Sequence, residues 1–347
     1  MSRPVVWKRG GAVVVCTLLG PVIAYANVFT IDLTNATKKP QITVSVKDKD
    51  GNTRDLKAIV DTGNSDGIMV NSTTATALGL TIGADQQIRG AGGISTLKKT
   101  SFTGDKVITV TGLTTPAGQA TTALTISGPG IAGVSLPNDT LLIGQEFLSG
   151  FVQTFNPKSS QLILTALDQL DQKPNVQPRQ KPSPRRTDAT GSINRFDDIL
   201  GLSWDINVDV NSLGADFIID TGSETSLLSE DFATSLGLNP TSLPQETIST
   251  VFGDINVGKV DLLYRVFSGD PTMLNSFGVL PDSFNPDHLN ILGTDILGTL
   301  GVYQLDISAD TFRAGDIVPE PSSFFLLGAG LLGLGGWRRR RLHQTSA

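Results

Sequence analysis

IVDTGNSDGIMV, residues 59–70, and IIDTGSETSLLS, residues 218–229, write nearly the same phrase twice in one chain. Each runs two apolar residues into Asp-Thr-Gly and returns, after a few small polar residues, to a second apolar run. The likeness extends outward. LKAIVDTGNSDGIMVNSTTATALGL (56–80) and, later, LLIGQEFLSGFVQTFNPKSSQLIL (141–164) are matched by ADFIIDTGSETSLLSEDFATSLGL (215–238) and LNILGTDILGTLGVYQLDISADTF (289–312). In both halves an apolar strand leads into the loop. A second apolar strand and a short helix ending at Leu-Gly-Leu follow, and later come an apolar-apolar-Gly step, a helical turn and a closing hairpin. Four elements in register make a tandem repeat. The alternating stretches QITVSVKD and SWDINVDV run into turns at Asp50-Gly51-Asn52 and Asn211-Ser212-Leu213-Gly214, so a hairpin delivers the chain to each loop.

Composition agrees with that repeat. The 347 residues are 39% hydrophobic, enough for one large domain or two ordinary ones with sizeable cores. Thr, Val, Ile, Ser and Gly abound while Lys, Glu and Met are sparse, which favours short strands joined by tight turns. The fold expected is all-β, with two homologous lobes at 27–166 and 197–317. Between them, 172–187 (QKPNVQPRQKPSPRRT) holds four prolines and five basic residues with no acidic one. Such a segment has too little apolar surface to fold, so 167–196 reads as an exposed linker, with a basic binding patch as the alternative.

Both ends read as addresses. Arg3, Lys8 and Arg9, the apolar stretch 11–23 and Ala24-Tyr25-Ala26 fit a signal peptide cut after Ala26 by signal peptidase, hence export through the Sec pathway; a buried segment is the alternative. Cys16 is the only cysteine, so the mature chain would have neither disulfide nor thiol chemistry. At the other end, the apolar run 324–337 would span only about 21 Å as a helix, against a hydrocarbon layer of roughly 30 Å. Pro319-Glu320-Pro321, this short helix, and Arg338, Arg339, Arg340 and Arg341 together resemble a PEP-CTERM sorting signal; a short tail anchor is the alternative. That resemblance implies an exosortase-type processing enzyme of a Gram-negative envelope as partner, transient inner-membrane anchoring, and contact with the membrane through the sorting helix alone. Loss of both ends leaves 20 basic against 32 acidic residues, a net charge of −12. An acidic surface argues against nucleic acid or anionic lipid as a partner.

A single Asp-Thr-Gly is an ordinary turn. Two copies on matched halves mean something more, because a pseudo-twofold axis brings matched loops together and Asp61 would meet Asp220 in a cleft between the lobes. Carboxyls that close share a proton and titrate as a unit. The pair of Asp-Thr-Gly loops, with Leu142-Ile143-Gly144 and Ile291-Leu292-Gly293 at matching places, resembles the pepsin-like bilobal aspartic proteases, with lobes as short as those of retropepsin-like enzymes.

The resemblance covers about 30–165 and 197–317 and implies an aspartic endopeptidase acting on a peptide or protein substrate without cofactor or metal. Asp61 and Asp220 would hold the attacking water, one as base and one as acid. Thr62 and Thr221 would hydrogen-bond across to the opposite loop. Gly63 and Gly222 would offer backbone N–H groups, Ser223 would donate to the outer oxygen of Asp220, and the two apolar-apolar-Gly steps would pack behind the loops. Asn64 stands where the family commonly has Ser, Thr or Ala, and its amide would donate to a carboxylate. Asp66 and Glu224, if turned inward, would raise the pair's pKa values. The implied flap is IRGAGGISTL (88–97), with Gly90, Ala91, Gly92 and Gly93 at its tip, or else a surface hairpin; a counterpart lies near 249–258. The tyrosine that pepsins carry on the flap is missing, since the mature first lobe has none.

Other chemistries lack their residues. His288 is the sole histidine before the tail and no G-x-S-x-G occurs, so a serine triad has no base and His288 reads as a surface or capping residue. Zinc lacks ligands, and phosphate loops and dinucleotide fingerprints are absent. The competing reading is a catalytically inactive peptide-binding protein or a structural surface protein on the same fold.

Overall fold

In Gln41–Lys47 the side chains of Ile42, Val44 and Val46 are buried while Thr43 and Lys47 face solvent, the period-2 pattern of a half-buried strand. Its partner Thr53–Val60 alternates likewise until Ala58-Ile59-Val60, where every residue is buried. There the strand gains a second neighbour, Thr140–Ile143, which runs parallel to it and is itself wholly buried. A strand covered on both faces is uniformly apolar, and the apolar runs before Asp61 and Asp220 have that origin.

This computed structural model describes residues 5–9, 12–16, 28–90, 92–114, 123–167, 189–192, 194–196, 203–268, 270–306 and 309–315. The two lobes carry the same sheet. In the first, the order is 41–47, 53–60, 140–143, 68–70, 125–132, 93–102, 85–90; in the second it is 203–210, 213–219, 290–292, 227–229, 273–280, 253–265, 245–250. The parallel pairings repeat as well, Ile59 opposite Leu142 in one lobe and Ile218 opposite Ile291 in the other. After each second apolar strand comes a short capped helix. Ser72–Leu78 starts at Asn71, whose side chain accepts from Thr74 N–H at 2.6 Å, and ends at left-handed Gly79; Glu230–Ser235 starts at Ser229, which accepts from Phe232 N–H at 3.2 Å. Both end at Leu-Gly-Leu, as expected.

A third sheet joins the lobes. Phe151–Asn156 pairs antiparallel with Val302–Asp306, so strands from the two halves are neighbours at the molecule's waist. Phe155 stacks on Tyr303 across this seam with ring centroids 5.0 Å apart, a contact worth about 0.5–1.5 kcal/mol beyond the area it buries. One continuous core runs from Phe29 and Val44 in the first lobe to Phe217 and Phe312 in the second.

One boundary differs from the sequence reading. Ala189–Ser192 and Asn194–Phe196, assigned to the linker, are strands: the first pairs with Thr311–Gly315 as Val28–Asp32 pairs with Gln161–Ala166, and the second pairs with Ser203–Val210. The repeat thus extends upstream of 197. Within the segment expected to be a leader, Val5–Arg9 and Ala12–Cys16 form a hairpin whose second strand lies against Thr125–Ser127. Its cleavage site, the linker core 172–187, and the sorting segment with Pro319, Glu320, Pro321 and Arg338–Arg341 lie outside the described residues. No helix among the described residues is long and apolar enough to cross a membrane.

Candidate active site

Each Asp-Thr-Gly loop leaves a fully buried strand end and folds back on itself. Asp61 N–H donates to Ile143 O and Asp220 N–H to Leu292 O, both at 3.0 Å, so the apolar-apolar-Gly strands fix where each aspartate begins. The carboxylates are then caught by their own loops. Asp61 Oδ1 accepts from Gly63 N–H at 2.9 Å and Asn64 N–H at 3.0 Å; Asp220 Oδ1 accepts from Gly222 N–H at 2.7 Å and Ser223 N–H at 3.1 Å.

The threonines bind the loops to one another. Thr62 Oγ1 donates to Ile219 O at 2.7 Å and accepts from Thr221 N–H at 3.0 Å, while Thr221 Oγ1 donates to Val60 O at 2.6 Å and accepts from Thr62 N–H at 3.1 Å. Both hydroxyls are buried, so each lost bond would strand a polar group without water, at about 1–3 kcal/mol. This reciprocal clamp holds the two carboxyls in one place.

The glycines explain how close that place is. A Cβ on Gly63 would lie 2.5 Å from Asp220 Cγ, and one on Gly222 would lie 2.5 Å from Asp61 Oδ2. Each glycine is the floor under the opposite carboxyl, and any side chain there would push the pair apart.

Asp61 is buried and Asp220 partly so, and the two carboxyls hydrogen-bond each other. Burial, then the negative charge of Asp220 and that shared bond, push Asp61 well above the ordinary carboxylate range. Burial also raises Asp220, opposed by its bond to Asp61, the backbone donors and the ammonium of Lys39. Two carboxyls coupled in this way titrate as a unit. Catalysis that needs a singly protonated pair is expected to fade as pH rises through the raised value of Asp61; initial rates across pH on one peptide measure it.

The remaining expected residues divide. Gly144 and Gly293 pack against the loops as the resemblance implies: Gln145 N–H donates to Asn64 O at 2.7 Å and Thr294 N–H to Ser223 O at 2.8 Å. Two side chains do otherwise. Asn64 turns its amide to the backbone of Asp66, accepting from Asp66 N–H at 3.2 Å and donating to Asp66 O at 3.4 Å, and so does not donate to a carboxylate. Ser223 Oγ donates to Thr225 O at 2.7 Å and leaves Asp220 to the backbone N–H groups. In both cases a backbone group two residues away outcompetes the carboxylate. Glu224 is exposed and faces Lys39 Nζ at 4.0 Å, and the Asp66 carboxyl is raised by its own burial; neither figures among the groups that shift Asp61.

The cleft over the pair has a volume of about 590 Å³. Ile59, Met69, Leu142, Ile218, Leu227 and Ile291 line it with apolar surface around the carboxyls. The hairpin Asp85–Gly90/Gly93–Phe102 lines it through Ile88 and Gly90, with Gly90, Gly92 and Gly93 at the tip; Ala91 lies outside the described residues. From the second lobe the hairpin Gln245–Thr250/Gly253–Arg265 reaches over to meet it. His288 is exposed, its Nδ1 3.2 Å from Asp231 and 3.3 Å from Asp282, and is not part of the cleft lining.

Sequence reasoning missed Lys39, Phe252 and Gln145. Lys39 and Phe252 reach the cleft only through tertiary packing. Gln145, fully buried, donates from Nε2 to Thr62 O at 3.1 Å behind the first loop; a glutamine directly after an apolar-apolar-Gly step was its available signal.

Residues 206–296 match the family model described as aspartyl protease, and residues 318–341 match the PEP-CTERM protein-sorting motif. Among solved structures, the chain is similar to a retropepsin-like aspartic protease from Rickettsia conorii, with 23% identity and a TM-score of 0.29 over 37% of this chain and 99% of that one. It is also similar to Basic 7S globulin from soybean, with 12% identity and a TM-score of 0.45 over 84% of this chain and 95% of that one. No curated protein matches the chain.

Proposed function

We propose that this chain is an exported aspartic endopeptidase that hydrolyses peptide bonds with a water held between Asp61 and Asp220. The observation that carries the reading is the reciprocal placement of the two loops, each glycine under the opposite aspartate and each threonine bonded to the opposite strand. A clamp of that kind is superfluous for a cleft that merely binds, whereas proton transfer to and from one water needs two carboxyls held to a fraction of an ångström.

In the reaction, the ionised member of the pair takes a proton from the water as its oxygen attacks the scissile carbonyl carbon. The protonated member gives its proton to the carbonyl oxygen, producing a neutral gem-diol intermediate. On collapse the leaving amine takes the proton that the base had gained from water, while a gem-diol hydroxyl returns its proton to the other carboxylate as the carboxyl product forms, so the singly protonated pair is restored for the next cycle. Burial and the charge of Asp220 favour the proton on Asp61, while Lys39 favours the ionised form of Asp220.

Export begins with cleavage after Ala26, and the C-terminal motif directs the protein to the cell envelope or surface, where an exosortase-type enzyme removes the tail. Replacing Pro319-Glu320-Pro321 by alanines is expected to leave an uncut form in the membrane fraction, because the apolar run and the arginines persist. Fractionation with intact-mass measurement checks this, and equal mass and distribution for wild type and variant would contradict it.

A further inference from the structure

The two hairpins over the cleft meet at one aromatic ring. Phe252 stands at the tip of the second-lobe hairpin and lines the cleft. A Cβ on Gly90 would lie 3.2 Å from Phe252 Cε2, and one on Gly92 would lie 3.0 Å from Phe252 Cδ2, so the tip of the first-lobe hairpin lies directly against the ring. The tip that carries Phe252 is fixed: Thr250 Oγ1 accepts from Phe252 N–H at 3.1 Å and donates to Gly253 O at 2.8 Å. Val251 and Phe252 also pack on a small first-lobe cluster that includes Ile88 and Leu142, separate from the main core.

Two backbone bonds between the lobes flank this contact. Gly92 N–H donates to Phe284 O at 3.0 Å, and Ser135 N–H donates to Val251 O at 2.7 Å. Together they tie the first-lobe hairpin and the segment around Ser135 to the second lobe beside the cleft. Two isolated hydrogen bonds near solvent open easily, whereas a ring seated on glycines loses its whole contact at once.

We propose that Phe252 is the latch of the cleft: supplied by the second lobe, it seats against Gly90 and Gly92 to hold the first-lobe hairpin shut over a bound peptide, and its release admits and discharges substrate. It is a positioning residue and takes no part in proton transfer. As a statement about substrate, the proposal rests on the reading of the cleft as a protease site.

The test uses the full chain and Phe252→Ala, with Phe252→Tyr as the conservative variant. Hydrogen exchange without substrate is expected to accelerate roughly tenfold at the Gly92 and Ser135 amides in Phe252→Ala and to stay at the wild-type rate in Phe252→Tyr. The Asp61 amide, bonded to Ile143 O, should exchange alike in all three and reports an intact lobe. On a peptide substrate, Phe252→Ala should raise KM roughly tenfold with a smaller change in kcat. Wild-type exchange at both Gly92 and Ser135 in Phe252→Ala would overturn the latch. Absence of hydrolysis by the wild type would instead overturn the protease reading, and exchange alone would then judge whether Phe252 holds the hairpins together.

Discussion

Asp61→Asn and Asp220→Asn are each expected to lower the rate of peptide hydrolysis by roughly 10²–10⁴-fold, measured as initial rates on one peptide at the optimal pH of the wild type. The amide keeps the shape of the carboxyl but can neither accept the water's proton nor share one with its partner. Stability should move the other way. Burial raises both carboxyls above their ordinary value, so the folded chain binds a proton more tightly than the unfolded chain does. The stability this contributes is fully present below about pH 4, where the unfolded carboxyls are protonated too, and is lost as pH rises through the raised folded value. An asparagine has no such loss. The unfolding free energy of each variant relative to wild type should therefore grow from about pH 4 upward, as urea titrations at several pH values would measure; a difference constant with pH would contradict the raised pair.

Gly63→Ala and Gly222→Ala should nearly abolish activity while leaving the aspartates in place. The added Cβ arrives 2.5 Å from the opposite carboxyl, closer than real Cβ contacts come, and the obstacle belongs to the other clamped loop. The loops must separate, and displacing a reacting group by about 1 Å can cost roughly 10²-fold in rate. Overpacking at these half-buried positions should cost about 1–3 kcal/mol of stability besides. Gly298→Ala is the control, since nothing stands within 4 Å of a Cβ there, and it should change both quantities little. Steady-state kinetics with denaturant unfolding on the three variants separates a floor under the carboxyls from a general intolerance of alanine.

Much of this was legible in the sequence because the deciding features are local and duplicated. Asp-Thr-Gly after a fully apolar strand, Leu-Gly-Leu at a helix end and the apolar-apolar-Gly step are each a few residues long, and the second copy turned each from an ordinary turn into part of a site. What escaped depends on choices that sequence leaves open. Ala189–Ser192 has no apolar alternation and becomes a strand only because Thr311–Gly315 offers it an edge. Asn64 and Ser223 stand where the resemblance placed them, but short polar side chains bond the nearest backbone group, and that choice is made by loop geometry. Lys39 and Glu224 lie far apart in the chain, so their approach beside Asp220 follows only from the joining of the lobes. Phe252 resembles any aromatic at a hairpin tip until the opposing tip, with Gly90 and Gly92 bare of side chains, is seen to receive it.

The central claim is that the clamped pair hydrolyses peptide bonds and does not merely bind them. The most direct measurement incubates the purified chain with a mixed peptide library from acid to neutral pH, beside Asp61→Asn and Asp220→Asn, with mass spectrometry for new termini and peptide affinity measured on the same three samples. New termini from the wild type alone, fading as pH rises, with peptide affinity retained in all three, is the expected result. No new termini from the wild type at any pH, with equal peptide affinity in all three proteins, would contradict the claim and leave a peptide-binding module.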